Sequence, residues 1–407
     1  MADVDNKDNR SFLKRLNDNY KPKAGWIWGG LIAILLISFG GAIELFTQNG
    51  INGFLHGDRK DKYIAVVITQ KSDATFTIPE EFRRGFGNEI SFKTTYTTQN
   101  ISFEKVDDFL SVEQAKIIAN NLINDENCVL IIGNSTSQLT EVTLNEILSS
   151  QKIKPGFILP IATADNIIDK AKDQKYKAIL RMMPNNDQQA KTIKNFIFKK
   201  FKIPKVMILC DEENITYSYN LSQKIADNII LSNGKIVLKK NYGNTNTFMG
   251  DFEYLRKYNL LPDIIVFVGI SSNGSLLNEQ LNGMKIDIPI IYTDGCTVNN
   301  LMEKSKNNPN HFFISAVKKA NDEEEAPTYQ PVGEDARDLA KLIIQRIKGN
   351  ITRESVSSFI YKNRDEIILN DGKAGNYSFD ENGDNINMKW KVYSYLNGKL
   401  TMVYGEN

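Results

Sequence analysis

Short apolar runs alternating with longer amphipathic stretches limit what this chain can fold into more than any other feature of it. The runs are YIAVVI (63–68), CVLIIG (128–133), GFILP (156–160), KVMILC (205–210), DIIVFVG (263–269) and IPIIYT (288–293). Between them, VEQAKIIANNLI (112–123), DQQAKTIKNFIFKKF (187–201), YNLSQKIADNIILS (219–232) and NGSLLNEQL (273–281) carry helical spacing. Strands this apolar must be covered on both faces, and their alternation with helices is the pattern of parallel strands joined by crossover helices. A doubly wound α/β architecture is therefore expected rather than a half-exposed sheet. The series breaks near Arg181, where the chain leaves ILRMMP and a fresh helix–strand alternation begins. Two similar Rossmann-like lobes follow, each with a parallel sheet.

A chain of 407 residues, 41% hydrophobic and 24% charged, has material for two separate cores. Its 50 basic and 49 acidic residues leave no basic stripe of the kind a phosphate backbone needs, so nucleic acid is not an expected partner. Cys128 and Cys210 lie inside apolar runs, where cysteine acts as a small buried hydrophobe, and no disulfide framework is implied. His56, in the spacer, and His311, in the loop NNPNHFF, are the only histidines, so neither a His-based triad nor a histidine metal cluster can be assembled. Asp380, Asn382 and Asp384 begin like a calcium loop, but Asn385 stands where glycine is needed and Lys391 where glutamate is needed, so the segment reads as a hairpin turn. No GxGxxG follows a strand and no GxxxxGK[ST] occurs. No cofactor, metal or enzymatic activity is expected, since no acid, base and nucleophile converge.

Residues 24–43, AGWIWGGLIAILLISFGGAI, contain no charge over twenty positions. At about 1.5 Å per residue such a helix crosses a hydrocarbon core of about 30 Å. Lys14, Arg15, Lys21 and Lys23 precede it, Trp26 and Trp28 stand at its entry and Glu44 follows, which places the N-terminus in the cytoplasm and the rest outside. The competing reading is a cleaved signal peptide, with Gly40 and Ala42 at the cleavage site; either way the domain is exported. The chain then divides into a cytoplasmic leader (1–23), a single transmembrane anchor (24–45), a glycine-containing spacer (46–61), lobe 1 (62–182 plus 309–349) and lobe 2 (183–308 plus 350–407). Glu323 to Glu325 read as a solvated acidic loop. One span with a short leader implies a membrane partner.

Ligands of open α/β sheets sit beyond the carboxyl ends of the strands. After CVLIIG come Asn134, Ser135, Thr136 and Ser137, so hydroxyls and backbone N–H groups converge at a helix N-terminus. Two readings stay open there: a site for a carboxylate, or Ser135 or Ser137 acting only as a helix cap.

These segments, in order, resemble the type I periplasmic-binding-protein superfamily, in particular its branched-chain amino-acid-binding and receptor ligand-binding group. FEKVDD (103–108) with VEQAKIIANNLI resembles the family's second strand and helix. LIIGNSTS (130–137), FILPIATA (157–164), LRMMPNNDQQA (180–190), CDEENITYSYNLSQKIA, VFVGISSNGSLL and IPIIYTDG follow in family order, and GKAGNYSFDENGD (372–384) resembles the closing hairpin. The loop TQKSDATFTIPEEF departs from the pattern: it lacks the usual glycine-bracketed turn, and the helix after it looks shortened.

The resemblance implies a solute-binding protein that closes on a small amino-acid-like ligand and serves an ABC permease or a membrane sensor. It places the ligand's α-carboxylate at Ser135, Thr136 and Ser137, and its ammonium group at Ala162 and Thr163, which otherwise read as a helix cap before DNIIDKA. Tyr217 falls where the family has an aromatic lid, with Tyr219 as its rival in register. Asp294 falls where an acidic residue meets the ligand ammonium, and its bland alternative is a turn cap before Gly295. Ile270 replaces a strand-end aromatic and leaves ligand identity open. The alternative to a binding module is a ligand-free surface scaffold or assembly protein on the same fold.

Overall fold

The structure, a computed structural model, describes residues 61–70, 77–242, 249–317 and 328–405. The expected leader at 1–23, the anchor at 24–45, all of the spacer at 46–61 but its last residue, and the acidic patch at 323–325 lie outside them. Among the described residues no helix is long and apolar enough to cross a membrane.

Each apolar run becomes a strand, because a run without a polar face finds water on neither side. The first sheet contains β1 (Lys62–Val67), β2 (Ser91–Lys93), β3 (Asn100–Val106), β4 (Cys128–Gly133), β5 (Gly156–Leu159) and β6 (Ile179–Arg181), ordered β2-β3-β1-β4-β5-β6. All its neighbours are parallel except the short edge strand β2, which runs against β3. Every residue of β4 is buried. The second sheet contains β7 (Lys205–Asp211), β8 (Lys235–Tyr242), β9 (Ile264–Val268), β10 (Ile290–Tyr292), β11 (His311–Ser315), β12 (Lys391–Leu396) and β13 (Lys399–Tyr404), ordered β13-β12-β11-β10-β9-β7-β8. Here the β11–β12 and β12–β13 pairings are antiparallel and the rest parallel. The sheets are thus mixed and mostly parallel.

Helices α1 (Ile78–Phe86), α2 (Val112–Asn124), α3 (Ser137–Ser149) and α4 (Asp165–Asp173) connect the strands of the first sheet. Helix α5 (Asn186–Lys200) leads from β6 into β7, and α6 (Ile215–Leu231), α7 (Met249–Lys257), α8 (Ser271–Gly283) and α9 (Asn299–Lys304) connect the strands of the second sheet. The chain then returns: α10 (Gln330–Arg346) packs against α1, and α11 (Arg353–Lys362) packs against β4, β5 and β6.

That return corrects the expected lobe boundaries. Strand β11 pairs with β10 and β12 in the second sheet, whereas residues 309–349 were assigned to lobe 1. Helix α11 covers the first sheet, whereas residues from 350 onward were assigned to lobe 2. The reason is that HFFIS is apolar on both faces and joins the sheet beside it, while Val356 and Ile360 of α11 supply the apolar cover that β4 and β5 require. The hairpin turn read at 380–384 forms: Phe379 bridges Asn385, and Asp380 Oδ1 accepts from the N–H groups of Asn382 and Asp384 at 2.9 Å each.

Candidate functional site

The carboxyl ends of both sheets bring the chain's polar loops together. In the first sheet β4 ends in Gly133, where an added Cβ would sit 2.5 Å from the Val67 carbonyl oxygen, so only glycine lets β1 and β4 lie this close. Ser135 follows, with no exposed surface. Its N–H donates to Asp108 Oδ2 at 3.1 Å, its hydroxyl donates to Asp108 Oδ1 at 3.1 Å, and that hydroxyl accepts from the Thr69 N–H at 2.7 Å. The Thr69 hydroxyl also donates to Asp108 Oδ1, at 2.5 Å. Ser135, expected to receive a ligand carboxylate, therefore holds a carboxylate of the chain itself, brought by the end of β3.

Thr136, not Ser135 or Ser137, is the helix cap: its hydroxyl accepts from the Leu139 N–H at 3.2 Å at the start of α3. The Ser137 hydroxyl accepts from the Thr163 N–H at 3.3 Å, which ties the ends of β4 and β5 together. Ala162 and Thr163 are both buried, and α4 begins after them without a side-chain cap. The Thr163 carbonyl accepts from the Asn186 N–H at 2.9 Å and from Arg181 Nη1 at 3.0 Å.

In the second sheet the two remaining expected residues meet. Tyr217, at the start of α6, donates its hydroxyl to Asp294 Oδ1 at 2.5 Å. Tyr219 is 60% exposed, with Lys239 over its ring, whereas Tyr217 is buried. Asp294 opens a short 3-10 turn beyond β10, and its side chain does not cap that turn. Oδ1 also accepts from Gln189 Nε2 at 2.8 Å, and Oδ2 accepts from the Tyr329 hydroxyl at 3.1 Å. Burial raises the Asp294 pKa against the pull of these hydrogen bonds. The hydroxyls of Tyr217 and Tyr329 are raised well above the usual tyrosine range by burial and by the Asp294 carboxylate.

A third carboxylate, Asp211 at the end of β7, accepts from the N–H groups of Ile270 (3.0 Å) and Glu213 (2.8 Å) and from Asn273 Nδ2 (3.1 Å). Burial raises Asp108 and Asp211 as well. Sequence reading missed Tyr329, Gln189, Asp108 and Asp211. A strand-end acid was the available signal for Asp108 and Asp211; Tyr329 had none, since it reaches Asp294 from the return crossing.

The two loop clusters touch. The Gln138 N–H donates to Asn214 Oδ1 at 3.4 Å, and the Thr216 hydroxyl donates to Glu141 Oε2 at 3.0 Å. Several buried amides nearby have atoms without a hydrogen-bond partner among the described residues: both side-chain polar atoms of Asn134, Oδ1 of Asn186 and Oε1 of Gln189. Among the described residues no three histidine, cysteine, aspartate or glutamate side chains are placed to hold a metal ion.

Residues 91–284 match the family model described as the receptor family ligand binding region. None of the curated proteins matches the chain. Among solved structures, a leucine binding protein from Thermotoga maritima is similar at 18% identity and a TM-score of 0.68, covering 84% of this chain and 98% of its own. A type 1 periplasmic binding protein from Bordetella pertussis is similar at 16% identity and a TM-score of 0.68, covering 84% and 99%. A solute binding protein of an R. palustris ABC transporter, in complex with benzoate, is similar at 14% identity and a TM-score of 0.66, covering 84% and 95%. The chain has the fold these three share, that of the type I periplasmic binding proteins.

Proposed function

We propose that this chain, built on the type I periplasmic-binding-protein fold, is an extracytoplasmic solute-binding protein whose two lobes close on a small amino-acid-like ligand. The ligand is handed to an ABC permease or a membrane sensor, and segment 24–45 anchors the protein as a single pass with its N-terminus in the cytoplasm. The solved structures of similar fold include a leucine binding protein and one in complex with benzoate, which supports a small organic solute. Hinge closure needs only a ligand that prefers the closed form.

The observation that carries the reading is the set of buried amides beside the strand ends. Asn134 from the first sheet's loops and Gln189 and Asn186 from α5 each bury at least one polar atom without a partner. Each such atom costs about 1–3 kcal/mol unless something bonds to it, and a polar solute held there removes that cost. In this reading the solute meets Ser137, Thr163, Tyr217 and Asp294 beyond the strand ends, and Thr136 serves as the cap of α3.

One observation favours the scaffold reading. Ser135 is committed to Asp108, and Asp294 already accepts from Tyr217, Gln189 and Tyr329, so neither offers a free group to an amino acid without rearrangement. A thermal-shift screen separates the readings. Amino acids, short peptides, sugars, ureas and aromatic carboxylates are added to the full chain, and a true ligand at a hundred times its Kd stabilises by about 2.7 kcal/mol. A flat response across the whole panel would leave the scaffold reading standing.

A further inference from the structure

We propose that a groove on the edge of the first sheet opposite the candidate site binds the phosphate headgroup of an anionic phospholipid. The groove, about 570 Å³, is formed by the residues that lead into β5 and β6 and by one face of α11. Its floor is apolar, with Ile153, Ala178 and the ring of Tyr361; Lys152, Lys154, Lys175 and Lys177 surround it. Glu354 is the single acidic residue in the lining.

Arg353, 5% exposed, precedes the lining residue Glu354 and donates to the backbone carbonyls of Cys128 (3.0 Å), Ile123 (2.8 Å), Ile153 (3.1 Å), Leu122 (2.8 Å) and Asp125, which fixes the backbone on which the groove is built. Arg364, 6% exposed, donates to the carbonyls of Lys177, Glu381 and Asp380. Among the described residues neither guanidinium, and none of the four lysines, has a carboxylate within 4 Å; the ion pairs of the domain lie elsewhere. Four lysines thus line one open patch of a chain whose total charge is near zero. Lys177 already sits over the Tyr361 ring at 4.6 Å, which holds one ammonium in place. An apolar floor under a cationic rim suits an amphiphile with a phosphate head: lysine stems and the aromatic ring take its glycerol portion and the ammonium groups its charge.

Topology gives the source of that phosphate. Parallel strands begin on one edge, so β5 and β6 start on the same edge as β1, about 10–15 Å along it. Strand β1 starts at Lys62, only sixteen residues after the expected anchor ends. The described chain therefore enters the domain at Lys62, on the groove's edge. The choice of a lipid over a free phosphate rests on the anchor proposed above; the anion chemistry does not.

The test uses the full chain in an uncharged maltoside detergent at low salt, titrated calorimetrically with dihexanoyl-phosphatidylglycerol, dihexanoyl-phosphatidylcholine and inorganic phosphate. The expected result is binding of the phosphatidylglycerol, none of the phosphatidylcholine, and no measurable binding of phosphate alone. Lys152→Glu with Lys175→Glu should weaken the phosphatidylglycerol about tenfold or more, since each lysine near an anionic headgroup contributes about a fivefold factor. No binding, or equal binding by wild type and the double variant, overturns the proposal. Phosphate binding as tightly as the lipid overturns the lipid assignment and leaves a free-anion site. If the charge-reversal pair fails to fold, Lys152→Gln with Lys175→Gln reads the same loss. The solute screen of the cleft should be unchanged in these variants, so failure of the cleft reading and failure of the groove show in different experiments.

Discussion

The Tyr217 hydroxyl and Asp294 Oδ1 lie 2.5 Å apart, and the same oxygen takes a second hydrogen bond from Gln189. A carboxylate buried among two phenols and an amide is satisfied without any cation. Tyr217→Phe removes one donor and leaves the carboxylate short of a bond. The expected loss is about 1–3 kcal/mol of stability, read by urea denaturation at neutral pH. An unchanged midpoint would mean that water replaces the phenol freely.

Ser135→Ala and Asp294→Ala should part company. Ser135 bonds Asp108 and Thr69 inside the first lobe, so its removal should lower stability by about 1–3 kcal/mol with a small effect on the affinity of whichever solute the screen finds. Asp294→Ala removes the acceptor for three side chains and should weaken that solute by about tenfold or more by calorimetry. Equal affinity loss in both variants would restore Ser135 as a direct ligand contact.

Glu81 predicts a pH signature. Burial raises its pKa from 4.5 to about 7 while it accepts from the Tyr329 N–H at 2.9 Å. In the window from 4.5 to 7 the folded state binds the proton more tightly than the unfolded one, so this group's contribution to stability falls as pH rises, by at most about 1.4 kcal/mol per pH unit. His311 has the opposite sign. Its pKa is lowered from 6.5 to about 4 by burial, so between those values the unfolded chain takes up the proton and stability falls as pH falls. The wild-type profile mixes the two slopes. Glu81→Gln should therefore be compared with wild type by denaturation at pH 5 and 7: the variant should gain more at pH 7, and an equal gain at both would place the Glu81 carboxyl in the ordinary range.

Arg353→Met leaves five backbone carbonyls at the end of α2, the start of β4 and the approach to β5 without their donor. Losing bonds from a buried charged group should cost about 3 kcal/mol or more by denaturation, and Arg353→Lys should recover only part of it because one ammonium cannot reach all five oxygens.

Gly269→Ala would put a Cβ 2.4 Å from the Asp211 Cβ. The strand end must shift to relieve that contact, so a loss of about 1–3 kcal/mol in stability is expected. Wild-type stability would mean that β9 slides easily against β7.

The parallel strands and their division into two lobes were legible because apolar runs report burial on both faces. Strand β8 was not: KIVLKKNY is partly exposed along most of its length and carries lysines on an edge. Strand β11 was hidden by its brevity and by its position after the loop NNPN, where nothing local tells which sheet it will join. The site was read as a set of residues and not as a set of bonds. Ser135 and Asp108 stand 27 positions apart, and Tyr329 and Asp294 stand 35 apart, so sequence marks Ser135, Asp108 and Asp294 as polar beyond strand ends but cannot say which side chain will consume which. Tyr217 and Asp294, both read from the resemblance, meet each other before they meet anything else.

Arg181 is 1% exposed, and both its Nε and its Nη2 lie 2.6 Å from Asp384 Oδ1. Asn385 Nδ2 adds a bond to the Met182 carbonyl at 2.7 Å. The first and last passages of the chain between the sheets are thereby laced into one ribbon. Two separate threads let the bodies they join twist and splay in any direction; a ribbon bends across its flat face and resists the rest. A bend across that flat face is thus the direction in which this pair of passages yields most easily.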